Sequence, residues 1–452
     1  MARKAMISVV AALALAGCGG EPSPGGWTAS SGSASSGSAS PGPASTSPPT
    51  PPTAPPTAPT APTAPTGSAA PSKRKADDVN GDGYADLVAE FGPADGRRLG
   101  VVPGSPKGLV PAKGVVVPPA TFTSWLIGGG FRADLDGDGF GDILGYGAPP
   151  DPDQAQGPHI LWGGRDGVAA TARPIPVRLP AKSGGPASYR AVAGDYDGDG
   201  AADLAMATPP GSGGLAADLT VLYGPFTRQG APARSTVQPS PTGGDFWRMV
   251  ADEIDGRRAT ALLVYEGDDG EQVSGVLLAG GPGGLARAGR KLNRGMAAAF
   301  GDFDGDGTRD VAVGDDGSRN NEPGYETEPP TVDRTLTVYY GDGRQAAFKG
   351  GAGGAVSGDF DGDGRDDLAF GGAAASRHVS ATTPKVFRGG PGGLGAGTVI
   401  AGLSGAGPLA AGDYDGDGDD ELVFTTGRDD SAIVVTDGAK VLTRFETADM
   451  PS

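Results

Sequence analysis

Short apolar runs of four or five residues recur along most of the chain, and polar, glycine-rich segments separate them. The runs at residues 189–193, 204–207 and 219–223 are typical, with turn-forming residues between them. Runs of this length, bounded by Gly, Asp and Pro, favour β-strands, and no long segment shows an apolar stripe at the helical period. The pattern therefore predicts an all-β chain of short strands joined by turns.

An acidic loop lies between the first and second run of each unit. It reads Asp, any residue, Asp or Asn, any residue, Asp-Gly, two further residues and then Asp or Glu, with an apolar residue after it. Six copies are intact. Their acidic and amide positions are Asp78, Asn80, Asp82 and Asp86; Asp134, Asp136, Asp138 and Asp142; Asp195, Asp197, Asp199 and Asp203; Asp302, Asp304, Asp306 and Asp310; Asp359, Asp361, Asp363 and Asp367; and Asp413, Asp415, Asp417 and Glu421.

A seventh copy, at residues 252–262, is altered. Its Gly follows Asp255 directly, Arg257 and Arg258 come next, and no acid stands at the closing position. We predict that this copy holds no metal and that one of the two arginines gives the missing positive charge to Asp252 or Asp255.

The seven copies begin at residues 78, 134, 195, 252, 302, 359 and 413, about 56 residues apart. A fixed period of this size is typical of a solenoid, an array or a propeller. Each unit holds four short strands, and four-stranded antiparallel units repeated radially form a β-propeller. We therefore predict one seven-bladed propeller over residues 73–452. Residues 73–76 make a poor opening strand, so the sequence leaves open which strand closes the ring.

Glycine clusters come before the fourth run of several units, as at residues 280–284 and 389–393. They look superficially like phosphate-binding loops, but their counterparts at residues 104–108 and 163–167 have the same position in the repeat, and none opens a helix. They are better explained as hairpin turns that need a positive φ.

The repeats resemble the FG-GAP or VCBS type found in the integrin α-chain head, through the acidic loop and the four-strand unit. The resemblance covers essentially all of residues 73–447. It implies that partners bind on the face away from the acidic loops. WD repeats fit less well, because they run about 40 to 45 residues and carry a different signature.

The acidic loops have the composition of calcium sites. Calcium is a hard cation that takes six to eight oxygen ligands, and alternate residues of a tight loop direct their side chains to one centre. Position 6 is the Gly of the turn, and the acid at position 9 can close the site. Carboxylates packed so closely would repel each other without a dication. We expect about six Ca²⁺ ions, one per intact loop, that brace the blades.

The N-terminus has the features of a secretory signal. The apolar run at residues 5–16 follows Arg3 and Lys4 and leads to Cys18, the single Cys of the chain. Twelve residues are too few to cross a bilayer core of about 30 Å. The segment resembles the lipobox of bacterial lipoproteins, which implies removal of residues 1–17 and acylation of Cys18.

The next segment, residues 18–72, is predicted to be a disordered tether. Residues 22–72 contain 14 Pro and no charged side chain, and such a composition cannot bury a core. We expect a protein anchored by lipid to the extracytoplasmic face of the cell membrane. The 26 Arg against 10 Lys suggest a GC-rich bacterium, such as an actinobacterium.

The net charge of −18, from 54 acidic and 36 basic side chains, argues against nucleic-acid binding, which needs a basic surface. The intact loops contain five sets of four carboxylates and one set of three, so the acids outside them are fewer than the bases. One Cys and two His leave too few residues for a disulfide scaffold, a cysteine zinc site or a multi-histidine centre.

Ligand-binding residues are expected in the variable loops between second and third runs. The longest is predicted at residues 315–333. The candidates are Asn320, Asn321, Tyr325 and Glu326 in this loop, and Trp125 near the first junction between blades.

The sequence favours an adhesion or ligand-binding module that is monomeric and recognises an extracellular protein or a glycan. The alternatives are a polysaccharide-active lyase or hydrolase, since some rhamnogalacturonan lyases use calcium-rich propellers, and a lectin. Catalysis ranks second, because the clustered carboxylates belong to the repeat loops and neither His159 nor His378 lies in a catalytic motif.

Overall fold

The computed structural model of the chain describes most of the repeat region, and the structural statements below concern the described residues. These are residues 77–91, 98–117, 132–147, 157–169, 171–185, 191–211, 213–214, 216–267, 271–320, 322–324, 327–375, 379–427 and 431–450.

The chain folds as a seven-bladed β-propeller of antiparallel sheets that follow one another in chain order. Six blades have four strands, and the described part of the first has three. The strands are β1 Leu87–Phe91, β2 Arg98–Val102 and β3 Val115–Val116 in blade 1; β4 Arg132–Ala133, β5 Asp142–Gly147, β6 Gly157–Leu161 and β7 Ile175–Pro176 in blade 2; β8 Val192–Gly194, β9 Asp203–Thr208, β10 Asp218–Tyr223 and β11 Arg234–Gln238 in blade 3; β12 Phe246–Ala251, β13 Leu262–Glu266, β14 Ser274–Leu278 and β15 Arg290–Arg294 in blade 4; β16 Ala297–Gly301, β17 Asp310–Gly314, β18 Thr335–Tyr339 and β19 Gln345–Lys349 in blade 5; β20 Gly354–Gly358, β21 Asp367–Gly371, β22 Lys385–Phe387 and β23 Thr398–Val399 in blade 6; and β24 Gly407–Gly412, β25 Glu421–Thr426, β26 Ala432–Thr436 and β27 Val441–Glu446 in blade 7.

Helix is almost absent from the described residues, where it is limited to two 3₁₀ turns at Pro111–Lys113 and Thr447–Asp449. Within the same part of the chain, no helix is long and apolar enough to cross a membrane.

The first strand of blades 2 to 7 lies nearest the axis, since the opening strands of neighbouring blades contact one another from β4 through to β24. In blades 2 to 7 the acidic loop joins the first strand to the second, and in blade 1 it leads directly into β1, so these loops share one side of the ring. We call this side the loop face and the opposite side the far face. The prediction of a seven-bladed all-β propeller is confirmed.

The core consists of seven apolar clusters, each between two consecutive blades. Second strands are covered on both faces by neighbouring blades, and all residues of β9 and β17 are buried. The outer strand β19 alternates between exposed and half-buried positions. Burial on both faces explains why the second runs read as continuous apolar segments in the sequence.

The ring closes by packing of blade 7 against blade 1. Their shared cluster includes Leu87 and Val102 from blade 1 and Val423 and Ile433 from blade 7. Blade 7 supplies all four of its own strands, and the sheet of blade 1 contains no strand from the C-terminal part of the described chain. Closure therefore depends on contacts between faces of blades. The residues 73–76, expected to form a poor opening strand, lie outside the described residues.

Candidate metal centres

In each intact loop, the carboxylate of the first residue accepts at least one hydrogen bond from a backbone N–H group of the same loop. In blade 3, Asp195 Oδ1 accepts hydrogen bonds from the N–H groups of Gly198 (2.8 Å) and Asp199 (3.1 Å), and Oδ2 accepts one from Gly200 (3.0 Å). Gly198 and Gly200 have φ values of +74° and +90°, a region that favours glycine. These bonds and turns explain why the repeat places Gly after its third acidic position.

The closing acid ties the loop to the turn between the third and fourth strands. Asp203 Oδ2 accepts a hydrogen bond from Tyr196 N (2.8 Å), and Oδ1 accepts one from Gly224 N (2.9 Å). Asp86, Asp142, Asp310 and Asp367 bond in the same way to the loop and the turn glycine of their own blades. The closing acid is thus a brace between two turns, and its bidentate contribution to a metal stays a prediction.

The loops bring carboxylate oxygens together in groups that could hold a cation. In each group, the ligand atoms lie within 4.8 Å of one another. Such groups are Asp134, Asp136 and Asp142; Asp195, Asp197 and Asp199; Asp302, Asp304 and Asp306; Asp359, Asp361 and Asp363; and Asp413, Asp415 and Asp417. Oδ1 of Asp302 is buried without a hydrogen-bond partner among the described residues. Hard oxygen donors in this arrangement suit a divalent cation such as Ca²⁺.

Burial makes the charged form of the closing acids unfavourable when no cation is present. It raises the pKa of Asp86, Asp142, Asp203 and Asp310 to about 7, against the opposing effect of backbone hydrogen bonds. The pKa of Glu421 is raised to about 8, first by burial and then by the charge of Asp415. A bound cation would favour the ionised carboxylates and remove this cost.

The acidic loops also join the blades to one another. The N–H of the residue at position 8, or of Thr260 at position 9 in the altered loop, donates to the carbonyl oxygen of the first loop residue of the preceding blade. This bond joins Ala85 to Asp413, Gly141 to Asp78, Thr260 to Asp195, Asp366 to Asp302 and Asp420 to Asp359, with lengths from 2.6 to 3.1 Å. The possible metal sites therefore lie beside the blade junctions, where a loss of loop structure would loosen the ring.

The glycine turns pack against the same region. In blade 1, Ser105 N donates to Tyr414 O of blade 7 (3.0 Å), and in blade 2, Gly164 N donates to Val79 O of blade 1 (3.1 Å). A Cβ on Gly163 would lie 2.2 Å from Gly141 O. The first residue of the turn must thus be glycine, because the backbone of the neighbouring loop lies too close for a side chain. The predicted positive φ occurs later in the turn, as at Gly167 (+68°).

Arginines contact the acidic loops of four blades. Their partners are Asp136 and Asp138 for Arg228, Asp197 for Arg234, Asp304 for Arg344, and Asp367 for Arg388. Three of them also lie over an aromatic ring that precedes the turn glycine, namely Arg228 over Trp162, Arg234 over Tyr223 and Arg344 over Tyr340. Sequence reasoning did not find these arginines, because they lie 21 to 92 residues from the acids they contact.

Arginines pair with the acids of the altered loop of blade 4. The main partner of Asp252 is neither of the two arginines named from the sequence. Arg258 pairs with Asp255 at 3.0 Å, as expected. Asp252 is paired with Arg309 of blade 5, whose Nε lies 2.8 Å from Oδ1, while Nη1 of the same guanidinium donates to Asp366 of blade 6 at 2.6 Å. Arg309 therefore links three consecutive blades. Nothing in the sequence of its own intact loop indicates this role.

On the far face, the first part of the predicted ligand loop is buried. Asp315 and Arg319, exposed by 0% and 3%, form a bidentate ion pair at 2.8 and 2.9 Å. Asn320 is exposed by 8%, and its amide donates to Glu271 at 3.1 Å. Residues 315–320 thus form a fixed base, and the exposed part of the loop begins at Glu322. The ligand-binding role of Asn320 stays a prediction.

Several predicted sites lie outside the described residues. These are Cys18, the tether at residues 18–72, Trp125, Asn321, Tyr325 and Glu326.

Replacing Arg309 with Gln should destabilise the propeller even without any metal. The change leaves Asp252, whose side chain is 4% exposed, as a buried charge without its main partner, at a cost of about 3 kcal/mol. Denaturant unfolding measures this loss. The double variant Arg309→Gln/Asp252→Asn should recover most of it, and Arg444→Gln, at a side chain 56% exposed, should cost under about 0.5 kcal/mol. Equal effects of Arg309→Gln and Arg444→Gln would contradict the bridging role.

The metal-depleted protein should be less stable at pH 8 than at pH 5. When folded, the closing acids Asp86, Asp142, Asp203 and Asp310 have pKa values of about 7 and Glu421 has one of about 8, against about 4 when unfolded. Between these values the folded state binds more protons, so the free energy of unfolding falls as pH rises. Thermal melting should show a midpoint lower by about 5 °C or more at pH 8, and Asp203→Asn should reduce the difference. A higher midpoint at pH 8 would show that burial does not govern these carboxyls.

The repeat sequence and the fold are similar to those of known proteins. Residues 123–206 match the FG-GAP-like repeat family. No curated protein matches the chain in sequence. Among solved structures, an exotype rhamnogalacturonan lyase, YesX, has 15% identity and a TM-score of 0.38 over 80% of this chain and 71% of its own. A rhamnogalacturonan lyase PL11 of Bacillus licheniformis has 13% identity and a TM-score of 0.36 over 83% of this chain and 73% of its own. Residues 123–206 thus carry an FG-GAP-like repeat within a seven-bladed β-propeller.

Proposed function

We propose that the protein is a calcium-braced ligand-binding propeller held at the bacterial cell surface by a lipid anchor on Cys18 and a tether over residues 18–72. Its far face would recognise an extracellular protein or a glycan. The proposal of calcium binding rests on one observation, the grouping of carboxylate oxygens within 4.8 Å of one another in several of the acidic loops.

The donor set supports calcium over softer metals. All side-chain ligands predicted in the six loops are carboxylates, with one amide from Asn80, and none is His or Cys. Calcium accepts such oxygens in a flexible geometry, whereas Mg²⁺ demands a stricter octahedron and retains its waters. Calcium would supply positive charge at the blade junctions, and Asp195 and its equivalents would hold it.

The far face is favoured for ligand binding because its loops vary between blades while the loop face repeats one motif. The base formed by residues 315–320 also touches neighbouring blades. Gly353 N and Ala375 N of blade 6 donate to the carbonyl oxygens of Asp315 and Asp316 at 2.9 and 3.0 Å. A loop fixed in this way can present its outer residues with little loss of conformational entropy on binding.

Calcium should raise the thermal stability of the full chain strongly. A loop at a calcium concentration one hundred times its Kd contributes about 2.7 kcal/mol, so several loops together should raise the melting midpoint by at least about 10 °C relative to EDTA. Differential scanning calorimetry measures the shift. Mg²⁺ at the same concentration should give a smaller shift. An unchanged midpoint in EDTA would refute calcium bracing.

Replacing residues 322–327 with a Gly-Ser linker should abolish capture of envelope material while leaving the calcium-dependent melting midpoint unchanged. The replaced residues carry the predicted Tyr325 and Glu326, and the buried base at 315–320 is retained. Pull-down with the full chain measures capture. Replacing the exposed tip at residues 341–344 on the loop face would not serve as a control, because it would remove Arg344, which pairs with Asp304. The control is therefore Val399→Ala on β23, at a side chain that is 59% exposed. Unchanged capture by the linker variant would remove this loop from the binding surface.

A further inference from the structure

A second feature of the far face lies at the start of the inner strand of blade 4. The pairing of β12 with β13 is regular from Arg248 to Ala251 but shifts between Phe246 and Arg248, which makes Trp247 an extra, bulged residue. Bulges redirect side chains and are frequent beside binding sites. Trp247 is exposed by 38%, at the far-face end of a strand that borders the propeller axis.

Arg248 follows Trp247 in the chain, and an ion pair holds its side chain in place. Its Nη1 lies 3.2 Å from Asp316 Oδ2, and its side chain is 32% exposed. Among the described residues, no hydrogen-bond partner occupies its Nε and Nη2 groups. A planar guanidinium fixed at one edge therefore presents free donors at the residue after the exposed Trp247.

The carboxylate that holds Arg248 is itself immobilised. Asp316 Oδ1 accepts hydrogen bonds from Gln272 Nε2 (2.6 Å) and Ser318 N (2.8 Å). Gln272 is exposed by 1%, and its Oε1 accepts a hydrogen bond from Met296 N at 2.9 Å. Groups from blades 4 and 5 thus fix the guanidinium, which is the preorganisation that a binding site needs.

A buried donor without a partner lies under the same group. Tyr265 is the register partner of Arg248 on β13, is fully buried, and has a hydroxyl with no hydrogen-bond partner in the described part of the chain. Unsatisfied buried polar groups are rare in native proteins, so this hydroxyl calls for a partner such as an ordered water.

The charges nearby select the class of ligand. Asp245, two residues before Trp247, and Glu266, the register partner of Phe246, are exposed, and Glu271 is half-buried. These acids would repel an anionic ligand, but their oxygens can accept hydrogen bonds from hydroxyl groups. An indole face, free guanidinium donors and carboxylate acceptors together match a ring that is apolar on one face and carries hydroxyls at its edge.

We infer that Trp247 and Arg248 form a binding site for a neutral glycan, in which the indole stacks on a sugar ring and Arg248, Asp245 and Glu266 bond to its hydroxyls. The inference rests on the proposed binding function and gives it a location and a ligand class. It assigns the site to the mouth of the axis on the far face, apart from the loop tip at residues 322–327.

Isothermal titration of the full chain in calcium tests the site. The probes are cellohexaose, maltohexaose and mannohexaose as neutral hexasaccharides, with hexagalacturonate as the acidic comparison. We expect at least one neutral probe to bind with a Kd of about 1 mM or lower and hexagalacturonate to bind at least about tenfold more weakly. Trp247→Ala and Arg248→Gln should each weaken the neutral probe about tenfold, and Trp247→Phe should retain most of the affinity.

Val399→Ala is the matched control, because it alters another exposed apolar side chain and should leave affinity unchanged. Melting midpoints within about 1 °C of the parent would show that the variants fold. The site is refuted if no neutral hexasaccharide binds at about 5 mM, if Trp247→Ala binds as the parent does, or if hexagalacturonate binds best. Capture of envelope material that persists in Trp247→Ala, together with hexasaccharide affinity equal to that of the parent, would refute this site while leaving the binding function of the loop at residues 322–327 intact.

Discussion

Electrostatic repulsion between carboxylates at the blade junctions is the constraint on which the rest of the structure depends. Each intact loop packs three or four acidic groups into one turn, and that turn also supplies the backbone hydrogen bonds to the adjacent blade. Burial raises the pKa of the closing acids Asp86 and Asp203 to about 7 in the absence of a cation, which reflects the cost of this arrangement. The fold therefore needs positive charge at the loop face to keep its ring of junctions intact.

The molecule provides positive charge in two forms. In blade 4, arginines pair with the acids of the altered loop, Arg258 with Asp255 and Arg309 with Asp252. In blades 2, 3, 5 and 6, an arginine lies at the edge of an acidic loop but leaves a cluster of carboxylate oxygens together. A fixed guanidinium can thus stabilise a junction, whereas the junctions for which we propose an exchangeable cation would depend on the surroundings for their stability.

The sequence predicted the fold and the acidic loops well because both are local and repeated. The loop that begins at Asp195 contains the residues that it needs for its own hydrogen bonds, including Gly198 and Gly200. What escaped prediction consists of contacts between distant parts of the chain. Arg309 is 57 residues from Asp252, and Gln272 is 44 residues from Asp316. The bulge at Trp247 also has no signature in the sequence, because it depends on the pairing register of two strands. Residues 315–320 look like a loop in sequence but are buried by three blades.

The measurement that tests this account most directly is the number of calcium ions bound per chain, determined by native mass spectrometry of the full protein after removal of excess metal. The account predicts six, one for each intact loop, because arginines have taken the place of the cation in blade 4. A count of seven would contradict the role assigned to Arg309 and Arg258, and a chain that binds none would overturn the view that calcium holds the blades together.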